Sequence, residues 1–164
     1  MLVEVKITGM TIDPFTGMPI VILKDLQERE VVTIWIGMIE ASAIATELEH
    51  IKLSRPMTHD LINTILSKLG AKVVKVSVVD LVDNIFYARI SVEHNGKEIE
   101  FDARPSDAMA VALRAKAPIF VETTVIEKLK KENRYEGLEK DAEKHRWAEI
   151  LENLSPEDFG KYKM

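Results

Sequence analysis

Two short strings hold most of the residues able to act on a substrate: Arg55-Pro56-Met57-Thr58-His59-Asp60 and Arg104-Pro105-Ser106-Asp107. Each sets an arginine and a proline before a hydroxyl residue and an aspartate, the composition of a helix entrance. In the first, His59 beside Asp60 among free helix amides could supply a general base and a carboxylate that orients substrate or holds a metal. Asp60 also has a purely structural reading, because the helix dipole favours a carboxylate in the first turn. In the second string, Arg104 could close on Asp107 as a clamp across the turn. It could equally grip a phosphate through two parallel hydrogen bonds, with the amides after Ser106 as an anion site. Residue types alone leave both readings of each string open.

Other polar groups carry weaker signals. Glu47-x-x-His50 has the spacing of di-metal carboxylate bundles, but no matching motif stands on a second helix, so a solvated face is expected there, with Glu40 on the same side. His94 in a hairpin and His145 near the C-terminus read as surface residues. Walker A, Gly-x-Gly-x-x-Gly, Gly-x-Ser-x-Gly and His-Glu-x-x-His motifs are absent. With no cysteine, disulfides, thiolate nucleophiles and Cys-based zinc sites are excluded together. A formal charge of −5 speaks against a broad basic face for nucleic acid, although an acidic active site is compatible with it.

The elements that must position these residues follow from apolar periodicity. Val3, Val5 and Ile7 alternate with polar neighbours, and Pro19 to Leu23 and Val31 to Ile36 are further strand-like runs, giving a three-stranded meander. Ile39, Ala43, Ile44, Leu48 and Ile51 then recur at helical spacing. A second helix is expected from Thr58, capped by its own hydroxyl, with Leu61, Ile62, Ile65, Leu66 and Leu69 as its buried stripe and Gly70 as its stop. The order repeats: strands over 72–81, 85–93 and 98–103, the latter two joined by an Asn95-Gly96 turn, then a helix from Ser106 and a last strand and helix over 118–131. The reading is two β3α2 halves, near residues 1–70 and 71–132. Beyond Asn133 a charged segment, Gly137 to Asn153, has a sparse apolar stripe that includes Trp147, and Ser155-Pro156-Glu157-Asp158 reads as a further helical start. The expected organisation is a domain over 1–132 and a charged helical tail over 133–164. No apolar stretch approaches the roughly 20 residues of a membrane-spanning helix. Glu4 and Lys6 interrupt the segment where a signal peptide would be apolar, so a soluble cytoplasmic protein is expected.

Ile34-Trp35-Ile36-Gly37 with the helix after it, Arg55 to Leu61, Asp102-Ala103-Arg104-Pro105-Ser106-Asp107-Ala108 and Ala117-Pro118-Ile119-Phe120-Val121 together resemble the bifunctional nuclease domain family, in the family's order over about residues 1–125. The resemblance implies an α+β fold of duplicated β3α2 halves, forming a barrel-like mixed sheet flanked by helices, and a homodimer. It also implies cleavage of both RNA and DNA. On the matching positions it marks His59, Asp60, Arg104 and Asp107 as candidate catalytic residues, and Arg55 and Ser106 as candidate substrate-binding residues. The metal is left open, a divalent cation such as Mg²⁺ or Mn²⁺ being what such chemistry would use.

Two functions of different class therefore stand. One is a phosphodiesterase with His59 as base or acid, Asp60 and Asp107 holding an ion or orienting water, and Arg104 meeting the phosphate charge. The other is a non-catalytic anion- or protein-binding regulatory domain. Net acidity and the lack of a basic, aromatic strip for single strands favour the second; the resemblance favours the first.

Overall fold

The computed structural model describes residues 1–132 and 147–153. Strands β1 (Leu2–Ile12), β2 (Pro19–Asp25) and β3 (Val31–Trp35) form the first meander, followed by helices α1 (Met38–Leu48) and α2 (Thr58–Lys68). Strands β4 (Lys72–Val82), β5 (Ile85–His94) and β6 (Lys97–Ala103) form the second, followed by α3 (Pro105–Ala115), β7 (Ile119–Glu122) and α4 (Thr123–Lys131). The described part of the C-terminal segment is helix α5 (Trp147–Glu152). No helix among the described residues is long and apolar enough to cross a membrane.

All seven strands share one mixed sheet in the order β3-β2-β1-β7-β4-β5-β6. The two meanders are thus laid out as counterparts on either side of β7, which runs antiparallel to β1 and parallel to β4. The sheet is not closed into the expected barrel: β3 and β6 are its free edges. The second half also carries a strand, β7, with no counterpart after α1, where residues 51–53 are irregular.

Alternation along β1 appears as expected, with Val5 buried between exposed Glu4 and Lys6. β2 has almost no alternation. Its residues Ile20 to Leu23 are all buried, so both faces of the sheet are covered there. The Asn95-Gly96 turn holds both residues at positive φ, 51° and 74°, as a two-residue hairpin of this twist requires. The core joins these strands to an unbroken buried run in α1, Ala41 to Thr46, and to α3 from Ala108 to Ala112. Small alanines let α1 and α3 pack closely, and α2 also lies against α3, which brings the two helix entrances together.

Four local expectations are corrected. Ile39 is exposed rather than part of the buried stripe of α1, which ends at Leu48 and does not reach Ile51. Neither Thr58 nor Ser106 caps its helix. Met57 is the N-cap of α2 and Arg104 that of α3, whose first helical residue is Pro105, so Ser106 is drawn inside and buried. The α2 stripe is also exposed: Leu61, Ile65 and Leu69 stand 52%, 48% and 66% accessible, and only Leu66 reaches the core. The period of α2 is that of an amphipathic helix, but no element covers its apolar side among the described residues.

The Trp147 side chain is buried, and its indole N–H donates to the Met10 carbonyl oxygen at 3.1 Å, so α5 lies on the domain. Leu138, Ala142, His145 and the Ser155-Pro156 start lie outside the described residues.

Candidate active site

The entrances to α2 and α3 meet. His59 Nε2 lies 2.9 Å from Asp107 Oδ1, joining residues 48 apart in the chain. The Arg104 Nε–H donates to Asp107 Oδ2 at 2.7 Å, and Nη2 reaches Oδ1 at 3.2 Å, so the guanidinium holds the carboxylate by two prongs. Nη1 donates to Glu40 Oε1 at 2.7 Å. A continuous polar chain, His59–Asp107–Arg104–Glu40, thereby ties the first turns of all three central helices. Glu40 was expected on a solvated face. Its partner is supplied by a helix entrance 64 residues away, and periodicity within α1 carries no sign of it.

The electrostatics of the chain favour ionised carboxylates. Partial burial pushes the Asp107 carboxyl up, but the Arg104 and His59 hydrogen bonds outweigh it, and the group ionises below the ordinary carboxylate range. Arg104 is held more firmly protonated, by Asp107 first and Glu40 second, against some desolvation. An ionised Asp107 can only accept, so the proton at the His59–Asp107 contact sits on Nε2. In a neutral ring, Nδ1 is then the nitrogen able to take a proton.

Asp60 has a different set of partners. Its Oδ2 accepts from the Met57 backbone N–H at 2.7 Å, half of a capping box, and its Oδ1 accepts from Arg114 Nε at 2.6 Å. Arg114, in the last turn of α3, has a side chain only 4% exposed and also donates through Nη1 to the carbonyl oxygens of Ala43 and Ala110, both at 3.0 Å. Glu47 approaches the same guanidinium at 3.9 Å. Burial raises the Asp60 carboxyl, and the Met57 and Arg114 hydrogen bonds more than reverse that, lowering it overall. Sequence reasoning overlooked Arg114. Its only signal was a charged residue close behind the apolar run Ala108 to Leu113, where a cation suits the C-terminal end of the helix dipole.

Arg55 is exposed and lines a cleft of about 370 Å³ with Glu47, Lys52 and Asp60, set apart from Arg104. Ser106 is buried and lines a second cleft, of about 290 Å³, beside Arg104 and Glu40. The proposed residues thus divide into one connected group, His59, Asp107 and Arg104 with Ser106 adjoining, and a second centred on Asp60 and Arg114. A cation shared by Asp60 and Asp107 does not fit this arrangement, because arginine or a backbone amide already occupies the oxygens of each carboxylate. No group of three or more His, Asp or Glu side chains among the described residues is placed to hold a metal ion.

Comparison with known proteins places the chain in a family. An uncharacterized protein of Mycobacterium tuberculosis is 35% identical over 162 residues, covering 95% of this chain and 97% of its own length. Bifunctional nuclease 1 of Oryza sativa subsp. japonica is 31% identical over 77 residues, 45% of this chain and 23% of the rice protein. Bifunctional nuclease 2 of Arabidopsis thaliana is 30% identical over a stretch of the same length. The model of the bifunctional nuclease domain matches residues 21–134, a span that includes both helix entrances and the polar chain between them. The chain belongs to the bifunctional nuclease domain family.

Proposed function

We propose that this protein is a nuclease that hydrolyses phosphodiester bonds of RNA and DNA at the junction of α2 and α3, working in the cytoplasm as a homodimer. The observation that carries the reading is the ordered contact His59–Asp107–Arg104, in which an ionised carboxylate fixes the tautomer of a histidine and the orientation of an arginine at once.

In this reading Asp107 holds the Nε2–H of His59, leaving Nδ1 to take a proton from the attacking water. Arg104 spends one N–H of each terminal nitrogen, and its Nε–H, on Asp107 and Glu40. The second N–H on each terminal nitrogen remains for phosphate oxygens, and the side chain is 64% exposed, so a phosphate can reach it. Charge gathering on the phosphoryl oxygens would then meet a cation that is already oriented. Ser106 and Arg55 would contact substrate beyond the scissile group. Asp60 positions the α2 entrance through Met57 and Arg114, and so positions His59 beside it. A homodimer is supported by the uncovered Leu61, Ile65 and Leu69 of α2, an apolar stripe of the kind that marks protein contacts.

The competing reading, a domain that binds an anion or a protein without catalysis, draws on one observation: two carboxylates already engage Arg104. One experiment separates the two. Highly purified wild type, His59→Ala and Asp107→Asn, prepared by the same route, are assayed on single-stranded RNA and DNA with and without chelator. The nuclease reading expects activity in the wild type and a fall on the order of 10²-fold or more in both variants, with circular dichroism unchanged. Equal activity in all three preparations would expose a contaminant and leave the binding domain standing. The chelator arm reports whether a metal takes part.

A further inference from the structure

The cleft beside Arg104 has a composition that phosphate chemistry alone does not require. It is built where the two halves face each other: Trp35 and Ile36 from the end of β3, Ile85 and Phe86 from the β4–β5 hairpin, and Arg104 and Ser106 from the entrance to α3. Trp35 is held in place, because its indole N–H donates to Asp13 Oδ2 at 2.9 Å, and Asp13 is itself fixed by accepting the Phe15 amide across the β1–β2 turn. On the other side, Asp83 and Asn84 adopt positive φ of 48° and 65°, making the tight turn that sets Ile85 and Phe86 at the rim. Ile85 is 58% exposed, a large aliphatic side chain left in solvent at the mouth of a cleft.

We propose that this cleft is a base-binding subsite that takes one unpaired nucleobase of a single-stranded nucleic acid, held by Trp35, Ile85 and Phe86, with the adjoining phosphate on Arg104. The inference rests on the nuclease reading for the identity of the occupant. Three features point to a base. The cleft offers apolar and aromatic contact next to a cation with N–H groups remaining, which is the pairing that a flat ring joined to a phosphate demands. Its volume of about 290 Å³ lies at the lower end of the range for small-molecule sites, suited to a ring rather than to a whole nucleotide with its neighbours. A base stacked inside a duplex cannot enter such a cleft without leaving its helix, so the site selects single strands or frayed ends. Stacking reads the ring and ignores the 2′-hydroxyl, which gives a physical reason for one site to accept both RNA and DNA.

The test uses the full-length chain carrying Trp147→Phe, so that Trp35 is the sole indole fluorophore. It is titrated with three DNA probes of equal length, namely a single-stranded oligodeoxyadenylate, the same backbone without bases, and a blunt duplex, and with the matching oligoriboadenylate. Electrophoresis afterwards verifies that the probes are intact. The expected result is quenching of Trp35 by both single strands with similar affinity, and binding at least tenfold weaker for the abasic strand and the duplex. Ile85→Glu, at an exposed position where folding is not at stake, should weaken single-strand binding about tenfold. In Trp35→Phe and Trp35→Ala, where binding is read instead from the fluorescence anisotropy of end-labelled probes, the phenylalanine variant should retain more of it than the alanine one. An abasic strand that binds as tightly as the adenylate would overturn the subsite, as would single-strand binding unchanged in Ile85→Glu and Trp35→Ala. So would a Trp147→Phe protein whose Trp35 no single strand quenches. The two readings fail separately. Cleavage that depends on His59 but is untouched by Ile85→Glu removes the base subsite and keeps the nuclease, whereas base-dependent quenching in a protein without cleavage keeps the subsite and removes the nuclease.

Discussion

The entrances to α2 and α3 are written with nearly the same residues and do different things. At α3, Arg104 folds back on the aspartate of its own turn, Asp107, and that aspartate also receives His59. At α2 the arginine of the string, Arg55, is exposed and makes no ion pair among the described residues, while the aspartate, Asp60, is met by Arg114 from the far end of α3. The helices behind them differ as sharply. α3 buries seven residues, Pro105 to Ala112 apart from Asp107, whereas α2 buries none. α2 is therefore held largely by the polar contacts of its first turn and by Leu66, and α3 by its apolar face. An aspartate at a helix start can serve as an anchor or as part of a reactive chain, and the difference lies in which cation the fold delivers to it.

Several variants would break or sharpen that comparison. Among the polar contacts, the largest effect on stability is expected at the anchor. Arg114→Met removes the partner of Asp60 and leaves the Ala43 and Ala110 carbonyls short of a donor, costing about 3 kcal/mol, the low end for a broken buried ion pair because Asp60 keeps contact with solvent. Chemical denaturation measures this, and a loss within the error of the wild type would show that the Asp60–Arg114 contact does not hold α2.

Next comes the reactive chain. Arg104→Lys keeps the charge but loses the two-pronged grip, so cleavage should fall by roughly 10–10²-fold. Because the Arg104 side chain is largely exposed, melting should move little. Reduced melting with unchanged specific activity would instead make Arg104–Asp107 a clamp with no chemical part.

A smaller effect follows from pH. The Asp60 carboxyl is lowered in the folded protein, so its contribution is fully present above the ordinary carboxylate pKa of about 3.9 and is lost as pH falls through the lower folded value. Asp60→Asn should thus cost about 1.5 kcal/mol at pH 7. The gap to wild type should narrow as pH drops below about 4. A gap that stays constant down to pH 2.5 in urea titrations would mean that the charge of Asp60 is not what stabilises the entrance.

The smallest effect on folding is expected on the outer side of α2. Ile65→Glu, at a position 48% exposed, should change monomer stability by no more than about 0.5 kcal/mol, while the same change at the fully buried Val111 of α3 should prevent folding. If a second copy covers this stripe, light scattering of Ile65→Glu should read a monomer where the wild type reads a dimer. A wild-type monomer at micromolar concentration would end the dimer proposal.

The sequence by itself determined the elements that rest on local physics. Alternation in β1, the Asn95-Gly96 hairpin, the Gly70 stop and the order of the two halves all follow from side-chain period and backbone preference within a few residues. It also marked the two Arg-Pro strings, with Arg55, His59, Asp60, Arg104, Ser106 and Asp107, as candidates, without separating the connected residues from the rest. What it did not contain was who meets whom. Glu40 reads as a solvated residue until α3 brings Arg104 to it, and Arg114 is an ordinary helix-end cation until the start of α2 crosses α3 and supplies Asp60. The apolar stripe of α2 has the period of a buried face and is left open, since period states which side of a helix is apolar and not whether anything lies against it. Trp35, Ile85 and Phe86 likewise share a cleft with Arg104 only in the folded molecule, since they come from the end of one meander and the hairpin of the other, on strands far apart in the sheet order. Ion pairs and clefts depend on contacts between residues far apart in the chain, and those are fixed by the packing of whole elements, where the physics of any single segment has no reach.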